Sequence, residues 1–130
     1  MFSNKMTIQI VLTFVLFTLI DFLYLSNMKN TFSSMIQKIQ GTKIVFQWIP
    51  ALLCYIALVF GLWYFIIREK KSILDAALLG WTIYAVYETT NLAILSKWNP
   101  IVALIDVLWG GILFATTTWL IYFLSATYLR

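Results

Sequence analysis

The chain has 130 residues, 62% of them hydrophobic and 11% charged, with a mean hydropathy of +0.90 and a formal net charge of +4. Soluble domains carry roughly 25% charged residues, so this composition describes a single all-α integral membrane domain over residues 1–130. Histidine is absent and Cys54 is the only cysteine, which excludes an intramolecular disulfide, a histidine-dependent triad, and any expected haem or zinc cofactor.

The basic residues are spread over loops and ends with no dense basic face. The predicted partner is therefore the lipid bilayer, and nucleic acid is excluded. The first apolar segment runs from about Met6 to Asn27, close to the ~20 residues that a bilayer span needs. It contains Asp21 and no small-residue cleavage site follows it, so it reads as a retained helix and not as a signal peptide. Between Lys29 and Lys43, apolar residues recur at Phe32, Met35, Ile36 and Ile39. That spacing predicts a short amphipathic helix lying in the headgroup region between helices 1 and 2, ended by Gly41.

Segment two, residues 44–67, carries no charge. Trp48 marks its start and Trp63 and Tyr64 its end, as interfacial aromatics do, and Pro50 sits in the opening turns. Arg68, Glu69, Lys70 and Lys71 then make a turn. Segment three covers residues 73–95, with Asp75 in its first turn, where a carboxylate favours a helix N-terminus. Segment four, residues 101–129, is long for one span and must tilt or emerge. Short connections predict a four-transmembrane-helix up-down bundle. Five Lys and Arg residues (Lys5, Arg68, Lys70, Lys71, Arg130) fall on the side of the termini and four (Lys29, Lys38, Lys43, Lys97) opposite, which places both termini in the cytoplasm.

Topology puts three acids at one depth. Asp21 lies eight residues before Lys29, Glu88 nine before Lys97, and Asp106 six after Pro100. At about 1.5 Å per residue, each is roughly 9–14 Å below the same membrane face, with Gln47 and Tyr55 of segment two at comparable levels. Helical spacing gathers Gly80, Tyr84, Tyr87, Glu88 and Asn91 on one face of segment three, and Asp106, Trp109 and Gly110 on one face of segment four. Asp21 and Tyr24 pair likewise on segment one. No Lys, Arg or His lies within the spans to neutralise the acids. Crowded carboxylates without a basic partner take up protons, share them, or hold a metal or a cationic ligand. The candidate ligand- or ion-binding residues are therefore Asp21, Tyr24, Tyr84, Tyr87, Glu88, Asn91, Asp106 and Trp109, with Asp21, Glu88 and Asp106 as the ligands of any metal. The bland alternative is that protonated acids merely bond across helices.

The sequence resembles the DUF2177 family of small predicted membrane proteins. The likeness rests on D-F-L-Y-L (Asp21 to Leu25), Y-E-T-T-N-L-A (Tyr87 to Ala93), Trp98, and D-V-L-W-G (Asp106 to Gly110). The family pattern has Trp where Tyr24 stands and Asp where Glu88 stands, so charge is kept at the second position with one more methylene of reach. The resemblance implies the four-segment layout and adds no activity.

Three functions stay open at this point: a proton- or cation-linked small transporter or channel, whose permeation would call for a homo-oligomer; a non-catalytic scaffold or subunit of a larger membrane complex; and a lipid-modifying membrane enzyme. Known lipid-enzyme motifs are missing, so the enzyme reading is the weakest.

Overall fold

The computed structural model describes residues 3–128, and all four elements are helical: α1 (Asn4–Gln40), α2 (Trp48–Leu62) running directly into a π turn (Trp63–Ile67), α3 (Ile73–Ile94) and α4 (Pro100–Tyr128). The sequence-predicted end of the fourth segment at Leu129, with Arg130, lies outside the described residues.

The α1 helix starts where the Ser3 hydroxyl accepts the Met6 N–H at 3.2 Å, and it stops where Gly41 turns left-handed at φ 79° and donates its N–H to the Gln37 carbonyl at 2.8 Å. The stop at Gly41 is as predicted, but the separate interfacial helix is not found. Residues 29–40 simply continue α1. Their apolar face has a protein partner and does not lie on headgroups: Met35, with Phe32, Ile36 and Ile39, packs on Trp98, Val102 and Ala103 around the α3–α4 turn. The Asn99 N–H also points at the Met35 sulfur, 3.3 Å away. With 37 residues, α1 is about 55 Å long, nearly twice the ~30 Å hydrocarbon core.

α2 begins at Trp48, later than the expected Ile44, because Pro50 costs nothing in a first turn but the extended stretch before it makes no helical bonds. Gln47 lies in that exposed stretch, outside the acid layer. At its far end the π turn is held by Arg68 N–H to the Trp63 carbonyl at 2.7 Å. It turns Trp63, Ile66 and Ile67 inward. The Trp63 indole donates to Gln9 Oε1 at 3.1 Å, and the Gln9 amide donates to Ser125 at 3.3 Å. The Tyr122 hydroxyl donates to the Lys71 carbonyl at 2.6 Å. This end of the molecule is thus tied together across α1, the π turn and α4, over a core of Phe17, Leu62, Leu113, Phe114 and Ile121.

Ser72 caps α3 by accepting the Asp75 N–H at 3.0 Å. α3 packs along α4 at very close range. A Cβ on Gly80 would collide with the Gly110 carbonyl, one on Gly110 with the Tyr84 side chain, and one on Gly111 with the Trp81 indole. α4 also packs on α1, and α1 on α2, while α2 and α3 scarcely touch. The helices therefore make an open C in the order α2, α1, α4, α3. Three are long and apolar enough to cross a membrane, Asn4–Gln40, Trp48–Ile67 and Pro100–Thr127. Of the four predicted spans, α3 alone is not a clear one by length and composition, because Asp75, Glu88, Asn91 and three threonines dilute its apolar run.

Candidate functional site

Each acid sits on a different helix of the C, buried, with 5% of Asp21, 1% of Glu88 and 7% of Asp106 exposed. A buried carboxyl needs donors, and here they are aromatic. Asp21 accepts the Trp109 indole N–H at 2.8 Å and the Tyr55 hydroxyl. Asp106 accepts the Tyr24 hydroxyl at 3.0 Å. Glu88 accepts the Trp98 indole N–H at 3.1 Å.

The α1–α4 seam has a reciprocal form. Asp21 and Tyr24 are one turn apart on α1, and Asp106 and Trp109 one turn apart on α4. Because the helices are antiparallel, each acid meets the aromatic of the other helix. The two rings then stack face to face, with centroids 4.7 Å apart and planes 6° apart. Tyr55 brings α2 into this network, while Glu88 brings in α3 through its neighbour Asp106. The Glu88 and Asp106 carboxyls lie within hydrogen-bonding reach of each other, and Glu88 Oε1 has no donor. Two buried carboxyl groups so placed disfavour ionising together.

The remaining predicted residues fall around this layer. Tyr84 is half-buried against Gly110 and meets Phe114 edge-on. Tyr87 is 57% exposed and packs its edge on Trp98. Asn91 lies beside Glu88 and Tyr87, yet its buried Nδ2 makes no hydrogen bond. Thr89 and Thr90 face outward and bond back to Ala85 and Val86 at 2.5 and 2.6 Å, so they take no part. Tyr55 and Trp98 are the donors that the sequence reading did not count among the site residues. Depth pointed to Tyr55, and Trp98, which folds back from beyond the end of α3, was marked only by the family resemblance. Asp21, Glu88 and Asp106, the candidate ligands of any metal, sit on three different helices. Among the described residues no three of His, Cys, Asp and Glu are grouped to hold a metal ion, and each of the three acids takes its own aromatic donor.

The gap between α2 and α3 is a groove of about 410 Å³ that reaches this network. Asp21, Asp106, Tyr24, Tyr55, Tyr84 and Tyr87 line it, with Cys54, Phe32 and aliphatic side chains between them and no basic residue.

A family model described as a predicted membrane protein, DUF2177, matches residues 6–123. No curated protein matches, and no solved structure does.

Proposed function

The chain belongs to the DUF2177 family of predicted membrane proteins, and from that premise we propose that it is a small proton-linked membrane transporter whose exchangeable proton sits on the Glu88–Asp106 pair. The observation that carries this reading is the pair itself: a carboxyl oxygen without a donor, buried beside a second carboxyl that lines an open groove.

In this reading all four helices span. The low hydropathy of α3 comes largely from Glu88 and Asn91, which it turns toward the network, while Leu74, Leu78, Val86 and Ile94 face outward. Both termini then lie on the cytoplasmic side, as the five-to-four distribution of basic residues favours. Asp21 differs from the other two acids because both its oxygens already have donors. Its part is to hold α1, α2 and α4 in register. A scaffold reading rests on that same clasp but gives no role to the groove. A lipid-phosphate enzyme fits less well, since no basic side chain in the groove could hold the phosphate.

The test is a reconstituted vesicle with an acidic interior and a trapped pH dye, given sodium, potassium or quaternary ammonium ions outside. Proton exit faster than in protein-free vesicles with at least one of these ions, and lost in Asp106→Asn, is the expected result. Equal rates with every ion would overturn the proposal.

A further inference from the structure

We infer that the ligand of the groove between α2 and α3 is an organic monocation with an apolar body, which enters sideways from the lipid and takes the place of the proton on Asp106. This inference rests on the proton-linked reading above and names its ligand class.

The sign of charge comes first. Asp21 and Asp106 line the groove and no Lys or Arg does, so an anion would meet only acceptors. Glu88 adds a third acid beside Asp106. Its Oε1 is buried without a donor, and the unbonded Asn91 amide next to it is placed to supply one, so the sign of the groove rests on Asp21 and Asp106.

The walls decide between an inorganic and an organic ion. A bare metal ion needs several oxygens converging within about 2–2.6 Å, and among the described residues no such group of acids exists. What converges instead is four phenol rings, Tyr24, Tyr55, Tyr84 and Tyr87. Aromatic faces around a carboxyl are the chemistry that recognises alkylated ammonium groups, through cation–π attraction at low hydration. The volume of about 410 Å³ falls within the ~300–1,000 Å³ range of small-molecule sites. It is far larger than a desolvated sodium ion requires.

The route follows from the packing. α2 and α3 scarcely touch, and Cys54 on the α2 wall of the groove is exposed, as is Tyr87 on the α3 wall. The groove is therefore open on the lipid side, and an amphipathic cation partitioned into the bilayer reaches it without crossing a protein wall. Charge balances in the exchange: one cation binds at Asp106 and the one proton shared with Glu88 leaves to water.

Cys54, an exposed thiol on the groove wall and the only cysteine, makes occupancy measurable in the intact reconstituted protein. Benzyltrimethylammonium at ten times its dissociation constant should slow alkylation of Cys54 by N-ethylmaleimide about tenfold. Its neutral carbon isostere, neopentylbenzene, and the anion benzenesulfonate should not. Asp106→Asn should lose the protection while its Cys54 reacts at the wild-type rate without ligand, which shows that the groove is intact. Equal protection by the neutral isostere, or none by the cation, overturns the inference. If sodium or potassium moves protons in the vesicle assay but benzyltrimethylammonium neither protects nor moves them, the ligand class is wrong and proton linkage stands. If benzyltrimethylammonium protects but no ion moves protons, the groove binds organic cations and the proton-linked reading fails.

Discussion

Replacing Trp109 by Phe removes three ring atoms, the indole N–H among them, but keeps an aromatic ring against Tyr24, so it weakens the clasp between α1 and α4 without deleting the stack. The Trp109 indole donates to Asp21 Oδ1 at 2.8 Å, and Asp21 is only 5% exposed. Interhelical hydrogen bonds in membrane proteins average about 0.6 kcal/mol, with a maximum near 1.7. Leaving a buried acceptor without its donor costs about 1–3 kcal/mol. Asp21 keeps Tyr55 on its other oxygen, and a Phe ring still stacks on Tyr24. The expected loss is therefore about 1–2 kcal/mol. Trp109→Ala also forfeits the stacked ring and should cost about 3–5 kcal/mol. Unfolding by SDS in mixed micelles, followed by circular dichroism, measures both. Tyr24→Phe completes a cycle. Its bond goes to Asp106, but its ring is the other half of the stack, so the double variant should depart from additivity by about 0.5 kcal/mol or more. A Trp109→Phe protein within about 0.3 kcal/mol of wild type, well below that average bond, would mean that Asp21 finds water or another donor, and the clasp reasoning would be wrong.

Three further substitutions probe other parts of the fold. Gly110→Ala drives a methyl into Tyr84 where α3 and α4 are closest; it should destabilise by about 1–3 kcal/mol in the same unfolding assay and displace a groove residue. Gly41→Ala meets no neighbour but inherits φ 79°, so a loss of about 1 kcal/mol, seen as faster amide exchange confined to the last turns of α1, is expected. Thr117→Val removes a buried hydroxyl that has no partner, and thermal stability in detergent should hold or rise, since no bond is lost and a desolvated polar group is gone.

The helical content and the acid layer were legible because polar groups inside apolar runs are rare signals and because topology converts sequence position into depth. The same arithmetic pointed to Tyr55 and misjudged Gln47, since depth says nothing about whether the chain is already helical there. Residues 29–40 show a different limit. Phe32, Met35, Ile36 and Ile39 have one periodicity whether their face lies on headgroups or on Trp98, Val102 and Ala103, and only the folded α3–α4 turn decides between them. The reciprocal pairing of Asp21 with Trp109 and Tyr24 with Asp106 could not be read from either helix alone. Both helices carry an acid and an aromatic three apart, but only antiparallel alignment at one register makes each the partner of the other. The open side between α2 and α3 was also invisible, because adjacent segments joined by a short turn are ordinarily packed.

The π turn at the end of α2 gives that open side a mechanical meaning. It pins one end of the helix through Trp63 to Gln9, and Tyr122 secures the turn that follows, while the opposite end is bare. α2 is thus mounted like a door, hung at Trp63–Ile67 and free at Trp48. Tyr55 stands eight residues from Trp63, about 12 Å out from the hinge. A swing of about 10° carries it about 2 Å along its arc, enough to part its hydroxyl from Asp21. On that lever the Tyr55–Asp21 bond is the catch. A single phenol thus ties α2 to the α1–α4 clasp at the wall of the groove.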